Sequence, residues 1–378
     1  MKTRFIAFWL LPVCSVIAQQ PQQNPSNPPS TTAPAVTAPA QAYINRGFEK
    51  LRNRDVAGAI ADYTEAIRLD PKSARAYDNR GVAKVHQGDL AGAVADYTEA
   101  IHLDPNRTAT YCNRGVAKGR QGDSAGAIVD YTEAIRLDSN NYWAYRNRAI
   151  IKYRQGDLAG AIIDYTEVIR LQPNDSWAYL NRGTAKGRQG DLAEALTDLN
   201  EAIRLNPNDY KAYYNRSVTR DKLGDKSGAV QDRATAARVQ EQVTFAEFCL
   251  KAKVWRELPV KPPLPEAVQR YRILAEEAYQ HQDYQAAVAY YEKGLAVEPM
   301  WAQGHFNVAS LFGDYLQNYN KAVSHMRRYL ELRPDASNAA AGRQQMAIWQ
   351  EKAKSGVPSG SPTGSPAEPS NVGGLNLK

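Results

Sequence analysis

Tyr43, Tyr77, Tyr111, Tyr145, Tyr179 and Tyr213 stand 34 residues apart, and so do Ala59, Ala93, Ala127, Ala161, Ala195 and Ala229, without an insertion or deletion. Such a period constrains the fold strongly, because a chain that repeats one supersecondary unit stacks the copies along an axis. In the copy spanning 76–105, Tyr77, Gly81 and Lys84 follow helical spacing, and after Gly88-Asp89 so do Ala93, Tyr97, Ala100 and Ile101. This predicts two amphipathic helices per unit. Gly88-Asp89 supplies the turn between them and Asp104-Pro105 the stop, while Gly81 and Ala93 are small where two backbones must approach. One hairpin cannot bury its apolar face alone; stacking copies makes a continuous core in which each pair touches only its neighbours.

An aromatic residue, Gly81, Ala93, Tyr97, Ala100 and Pro105 occupy the places of the 34-residue pattern of the tetratricopeptide repeat family, which the chain resembles over six consecutive units, 42 to 241. Two divergent units follow after a break. The resemblance implies an all-α fold, a right-handed superhelical solenoid of six regular and two divergent helix-turn-helix units with a capping helix. It also implies that the first helices line a concave groove for peptides or protein segments. Arg80 and Lys84 depart from the family, which often has apolar or aromatic residues there.

In chain order, Lys2 and Arg4, the apolar run Phe5 to Ile17 and the small Ala18 read as a signal peptide, 1–18, and imply an exported, periplasmic or secreted protein. Leu11-Pro12-Val13-Cys14 loosely resembles a lipoprotein signal, with Val13 where a small residue belongs, so anchoring through Cys14 is disfavoured. A Pro- and Gln-rich linker, 19–41, lacks the apolar content for a core, as does the Pro-, Gly- and Ser-rich tail, 355–378. Between them lie the array, 42–245, a connector with a Pro-rich hinge, 246–266, and the two divergent units with a capping helix, 267–354. The sixth unit has Arg233 for the second-helix tyrosine and Glu241 for the proline, and its pattern runs on through Phe245 and Phe248, which predicts a lengthened helix. In the eighth unit, Phe312, Ala322 and Pro334 fit with one inserted residue.

A solenoid accommodates 378 residues without enlarging a central core. The net charge of +7 is far below the excess of a dedicated nucleic-acid binder, so nucleic acid is a disfavoured partner. Cys112 and Cys249 show no CxxC spacing and no neighbouring histidine pair, so neither a metal site nor a disulfide framework is expected.

Opposite the packing face of the first helix, at about 100° per residue, runs an asparagine ladder, Asn45, Asn79, Asn113, Asn147, Asn181 and Asn215, beside a basic stripe, Arg52, His86, Arg120, Arg154, Arg188 and Lys222. An amide offers a donor and an acceptor to an extended peptide backbone whatever its side chains, and in related repeat proteins such ladders hold peptides. The alternative is that each Asn bonds a neighbouring repeat or helix terminus. The stripe favours acidic segments, or is a solvated face. Trp143 and Trp177, one turn before their asparagines and with Tyr153 nearby, are candidate anchors, or seals between repeats. The family's carboxylate clamp is not supported, because Ile44 and Phe48 occupy its first two places.

Arg46, Arg80, Arg114, Arg148, Arg182 and Arg216 are accompanied by Asp62, Asp96, Asp130, Asp164, Asp198 and Asp232, and both change together in the divergent units. An Arg–Asp pair tying each hairpin is expected. No HExxH, GxSxG, Walker loop or GxGxxG occurs, and the five histidines are scattered over different repeats. The sequence thus points to a non-enzymatic scaffold or adaptor, without a cofactor, that binds a protein or peptide segment. Binding of an anionic polymer by the stripe, or self-association in an architectural role, are the alternatives.

Overall fold

The computed structural model describes residues 38–355. The expected signal peptide, nearly all of the linker and the tail lie outside them. Helices α1 (Ala38–Arg52) and α2 (Val56–Leu69) form the first hairpin, followed by α3 (Ala74–Gln87) with α4 (Leu90–Leu103), α5 (Thr108–Gln121) with α6 (Ser124–Leu137), and α7 (Tyr142–Gln155) with α8 (Leu158–Leu171). Then come α9 (Ser176–Gln189) with α10 (Leu192–Leu205), and α11 (Tyr210–Lys222) with the long α12 (Lys226–Glu257). Two further pairs are α13 (Glu266–Gln280) with α14 (Tyr284–Val297), and α15 (Ala302–Ser310), extended by a π-turn (Leu311–Tyr315), with α16 (Tyr319–Leu332). Helix α17 (Ala339–Lys354) closes the described chain. The fold is an all-α solenoid of stacked helix hairpins, and the described residues contain no strand.

Each regular hairpin is encoded locally. Gly88 ends α3 at φ +90°, in the left-handed region that a Cβ disfavours. Asp89 then caps α4 by accepting from the Gly92 amide at 2.9 Å. Gly81 faces Tyr97 so closely that a Cβ on it would lie 2.6 Å from the ring. Tyr97 in turn is 1% exposed and fills the space between the two helices.

The aspartates at 62, 96, 130, 164, 198 and 232 are buried, and each takes both the Nε and Nη2 donors of the arginine sixteen residues earlier. For Arg80 and Asp96 the two bonds are 2.9 and 2.7 Å. The sequence did not reveal two further parts. A second cation closes on the same carboxylate, as Lys84 does on Asp96 at 2.8 Å, Lys152 on Asp164 at 2.9 Å and Arg220 on Asp232 at 3.0 Å. The remaining Nη1 crosses to the preceding hairpin: Arg80 donates to Thr64, Arg114 to Thr98, Arg148 to Thr132, Arg182 to Thr166 and Arg216 to Asn200, at 2.8 to 3.3 Å. One guanidinium therefore fixes its own hairpin and docks it on the one before.

Two compact units divide the described residues, one up to Ala237 and one from Arg238. In the first, small apolar clusters recur from hairpin to hairpin, such as Ala93, Tyr97 and Ala117, or Ala149, Ala161 and Tyr165. In the second, one cluster runs from Phe248 and Ala252 through Tyr291, Trp301 and Phe312 to Trp349. One expected boundary is corrected: the linker's last residues, 38–41, already form the first turn of α1, where Ala40 is buried. The lengthened helix expected of the sixth unit enters the connector 246–266 and runs to Glu257, with Phe248 and Ala252 buried, which leaves 258–265 without helix. Among the described residues no helix is long and apolar enough to cross a membrane, and no three His, Cys, Asp or Glu side chains converge as a metal site. Cys112 and Cys249 are not joined.

Candidate functional site

First helices of successive pairs touch directly, α1 with α3, α3 with α5, α5 with α7 and α9 with α11, which puts them on the inner side of the first unit. The asparagine ladder lies along these helices, but its members are not equivalent. Asn113 donates to Asp78 on α3 at 3.5 Å, and Asn215 to Thr184 on α9 at 2.8 Å, so both are engaged between hairpins. Asn181 turns back to the Trp177 carbonyl of its own helix at 2.7 Å. Exposed Asn45 accepts from Gln41 at 2.7 Å, and Asn79 is half-buried. Asn147 is 3% exposed, and its Nδ2 donor has no partner.

The basic stripe is similarly divided. Lys222 donates to the Gly187 carbonyl at 3.0 Å and Arg52 pairs with Glu49 at 2.8 Å. Arg188 lies over the Tyr153 ring of the preceding repeat, 4.8 Å from its centroid. Arg120 is half-buried, His86 is exposed, and Arg154 is exposed with no ion pair among the described residues.

Between α7 and α9 an aromatic and cationic cluster stands where an inter-helix asparagine bond is found elsewhere. Trp177 packs edge-on against Tyr165, with centroids 5.7 Å apart, and Trp143 remains 39% exposed. The Arg146 guanidinium lies 4.0 Å from the Trp177 centroid and 5.4 Å from that of Trp143. Its Nη1 donates to the Tyr142 hydroxyl at 3.1 Å, which donates to Asp175 Oδ2 at 2.6 Å. Burial first, and then this bond to a carboxylate, push the Tyr142 hydroxyl up to about 12. Asp175 Oδ1 meanwhile caps α9 through the amides of Trp177 and Ala178 at 3.0 and 3.2 Å.

Of the candidate centre Trp143, Asn147, Arg154, Trp177, Asn181 and Arg188, the two tryptophans are tied together by residues that sequence reasoning passed over, namely Tyr142, Arg146 and Asp175, and Asn181 joins them through the Trp177 carbonyl; Asn147, Arg154 and Arg188 stand outside these contacts. One signal could have found Arg146. Its place in the other units holds Ile44, Asp78, Cys112, Leu180 and Tyr214, so it does not recur.

Hairpins that repeat one small core and one Arg–Asp lock define a helical-repeat solenoid with a ligand-sized cluster on its inner helices. Tetratricopeptide repeat models match residues 45–108, 120–156 and 176–209, and the chain is a tetratricopeptide repeat protein. No curated protein matches it significantly. Among solved structures, YrrB, described as a TPR protein with an unusual peptide-binding site, is 22% identical with a TM-score of 0.44, covering 50% of this chain and 97% of that one. MamA is 22% identical over 43% of this chain and 96% of its own, with a TM-score of 0.42. A tetratricopeptide repeat protein from Parabacteroides merdae is 17% identical, covers 69% of this chain and 94% of its own, and has a TM-score of 0.48.

Proposed function

We propose that this chain is a non-catalytic interaction scaffold that holds an extended segment of a partner protein along its first helices, anchored at the fourth and fifth repeats, and that it works in the cell envelope after export. The observation that carries the binding reading is the α7/α9 cluster. There an exposed Trp143 lies beside Arg146, whose guanidinium is 4.0 Å from the Trp177 centroid and whose Nε donor has no partner. Large aromatics flanked by unspent polar groups are the usual composition of an interface hot spot. An unpaired buried donor costs about 1–3 kcal/mol, which a bound carbonyl or carboxylate recovers.

The test is to pan a displayed dodecapeptide library against the chain and against the Trp143→Ala/Trp177→Ala variant, with circular dichroism as a check of helix content. Peptides enriched on the native chain and lost on the variant support the reading. Equal enrichment on both, or none on either, rejects it. The envelope location rests on the leading sequence. The mature chain in the envelope fraction is expected to begin at Gln19, and an intact Met1 found only in the cytosolic fraction would remove that part of the proposal.

A further inference from the structure

Six arginines of the first unit show what a guanidinium does in this protein when a carboxylate is within reach. Each presents its Nε and Nη2 edge and holds both oxygens of one aspartate, as Arg148 holds Asp164 at 2.9 and 2.7 Å. Arg146, two residues earlier on the same helix, has no carboxylate on this edge. Its Nε is buried without an acceptor, only Nη1 is engaged, and among the described residues no carboxylate lies within ion-pair distance. The nearby acid, Asp175, is already spent on the Tyr142 hydroxyl and on the first amides of α9. Stacking on Trp177 occupies the face of the guanidinium and leaves its in-plane donors for another group. The unspent groups of Arg146 all donate, and Arg154 and Arg188 lie exposed on the same inner side.

We infer that the Nε and Nη2 edge of Arg146 takes the carboxylate of an aspartate or glutamate side chain, so that the segment held by the scaffold is acidic. This rests on the inner helices being the binding face. Arg146 lies close to both Trp177 and the exposed Trp143, and a carboxylate that takes Nε displaces the side chain that now covers it.

The experiment uses the full chain and an array of extended acidic dodecapeptides, each in three versions. One keeps its Asp and Glu with an amidated C-terminus. The second has Asn and Gln in their place with a free C-terminus, and the third has Asn and Gln with an amidated one. Affinities are read by fluorescence anisotropy against the native chain and against Arg146→Lys, which keeps the charge and loses the two-donor edge. The acidic version is expected to bind about tenfold or more tightly than the neutral amidated version. Arg146→Lys is expected to erase most of that preference with an unchanged thermal melt, and native tryptophan emission should shift on binding. Equal binding of acidic and neutral versions overturns this inference and leaves the peptide-binding reading standing. A preference that survives in Arg146→Lys assigns it to the field of Arg154 and Arg188, and a preference for the free C-terminus alone assigns it to a chain end; either overturns the side-chain inference. Absence of binding by every version overturns both.

Discussion

A carboxylate with no exposure is expensive to keep ionised, and Asp130 and Asp164 are tolerated because two cations close on each one. Asp164→Asn leaves Arg148 and Lys152 half-buried without their anion and weakens the Thr132 link that Arg148 holds in place. It is expected to cost about 3 kcal/mol in urea unfolding followed by circular dichroism, and a change below about 0.5 kcal/mol would mean that the lock contributes nothing net. The Arg–Asp partnership was legible because both residues recur and both change together, to Leu274 with Tyr290 and Val308 with His325. The role of Lys84 was not legible, since helical spacing places it on the packing face without saying that its ammonium reaches Asp96. Which asparagines bond a neighbour was not legible for the opposite reason. Six identical residues at one register meet different surroundings, so Asn113 and Asn215 bond between hairpins while Asn181 bonds its own helix.

The turns follow the same logic one level up. Gly88, Gly122, Gly156, Gly190 and Gly224 have positive φ, but Arg54, Gln282 and Gln317 do the same work at φ 65°, 61° and 51° with a Cβ in place. Left-handed backbone costs a residue of this kind about 1 kcal/mol, so Gln282→Gly is expected to raise the melting temperature of the second unit in calorimetry; a fall would contradict the strain. The residue inserted between Ala309 and Ala322 was visible as a break in the count, although its structural consequence was not. The helix absorbs it as a π-turn, with Leu316 N bonding Leu311 O at 3.0 Å, and this brings Tyr315 into contact with Tyr284 and Tyr279. In the same turn, Gly313 lies against Trp349 so closely that a Cβ would sit 2.1 Å from the indole. Gly313→Ala should therefore cost about 1–3 kcal/mol in denaturant titration, and a neutral result would show that α17 is free to shift.

At the scale of the whole molecule, the two units differ in what they bury. The second encloses His305, bonded through Nδ1 to His325 at 3.0 Å and through Nε2 to the Pro299 carbonyl at 3.0 Å, with Phe248 against its ring and Arg328 nearby. Burial pulls His305 down to about 4, against the help of the carbonyl, and His325 is pulled down by burial and then by His305 and Arg328. The sign follows from proton uptake. Below the ordinary value of 6.5 the unfolded chain takes the proton first, so stability is whole above it, falls as pH drops towards 4, and has lost on the order of 3 kcal/mol from His305 alone. Brief proteolysis across a urea series should release fragments of 238–355 earlier at about pH 4 than at neutrality, and with a larger shift than fragments of 38–237. Equal shifts would place the acid sensitivity elsewhere. The arginine lock, for its part, has two unequal ends. Among the described residues no hairpin precedes Arg46, whose side chain stays 57% exposed against 17% for Arg80, while Ala234 stands where Thr64 and its successors offer a hydroxyl or amide, and Leu250 where a seventh arginine would follow. The array thus carries its own terminator at the sixth unit. Unequal crossing-over within the repeated stretch can lengthen or shorten the inner face in steps of one hairpin, leaving that terminator untouched and making reach a heritable quantity set by copy number.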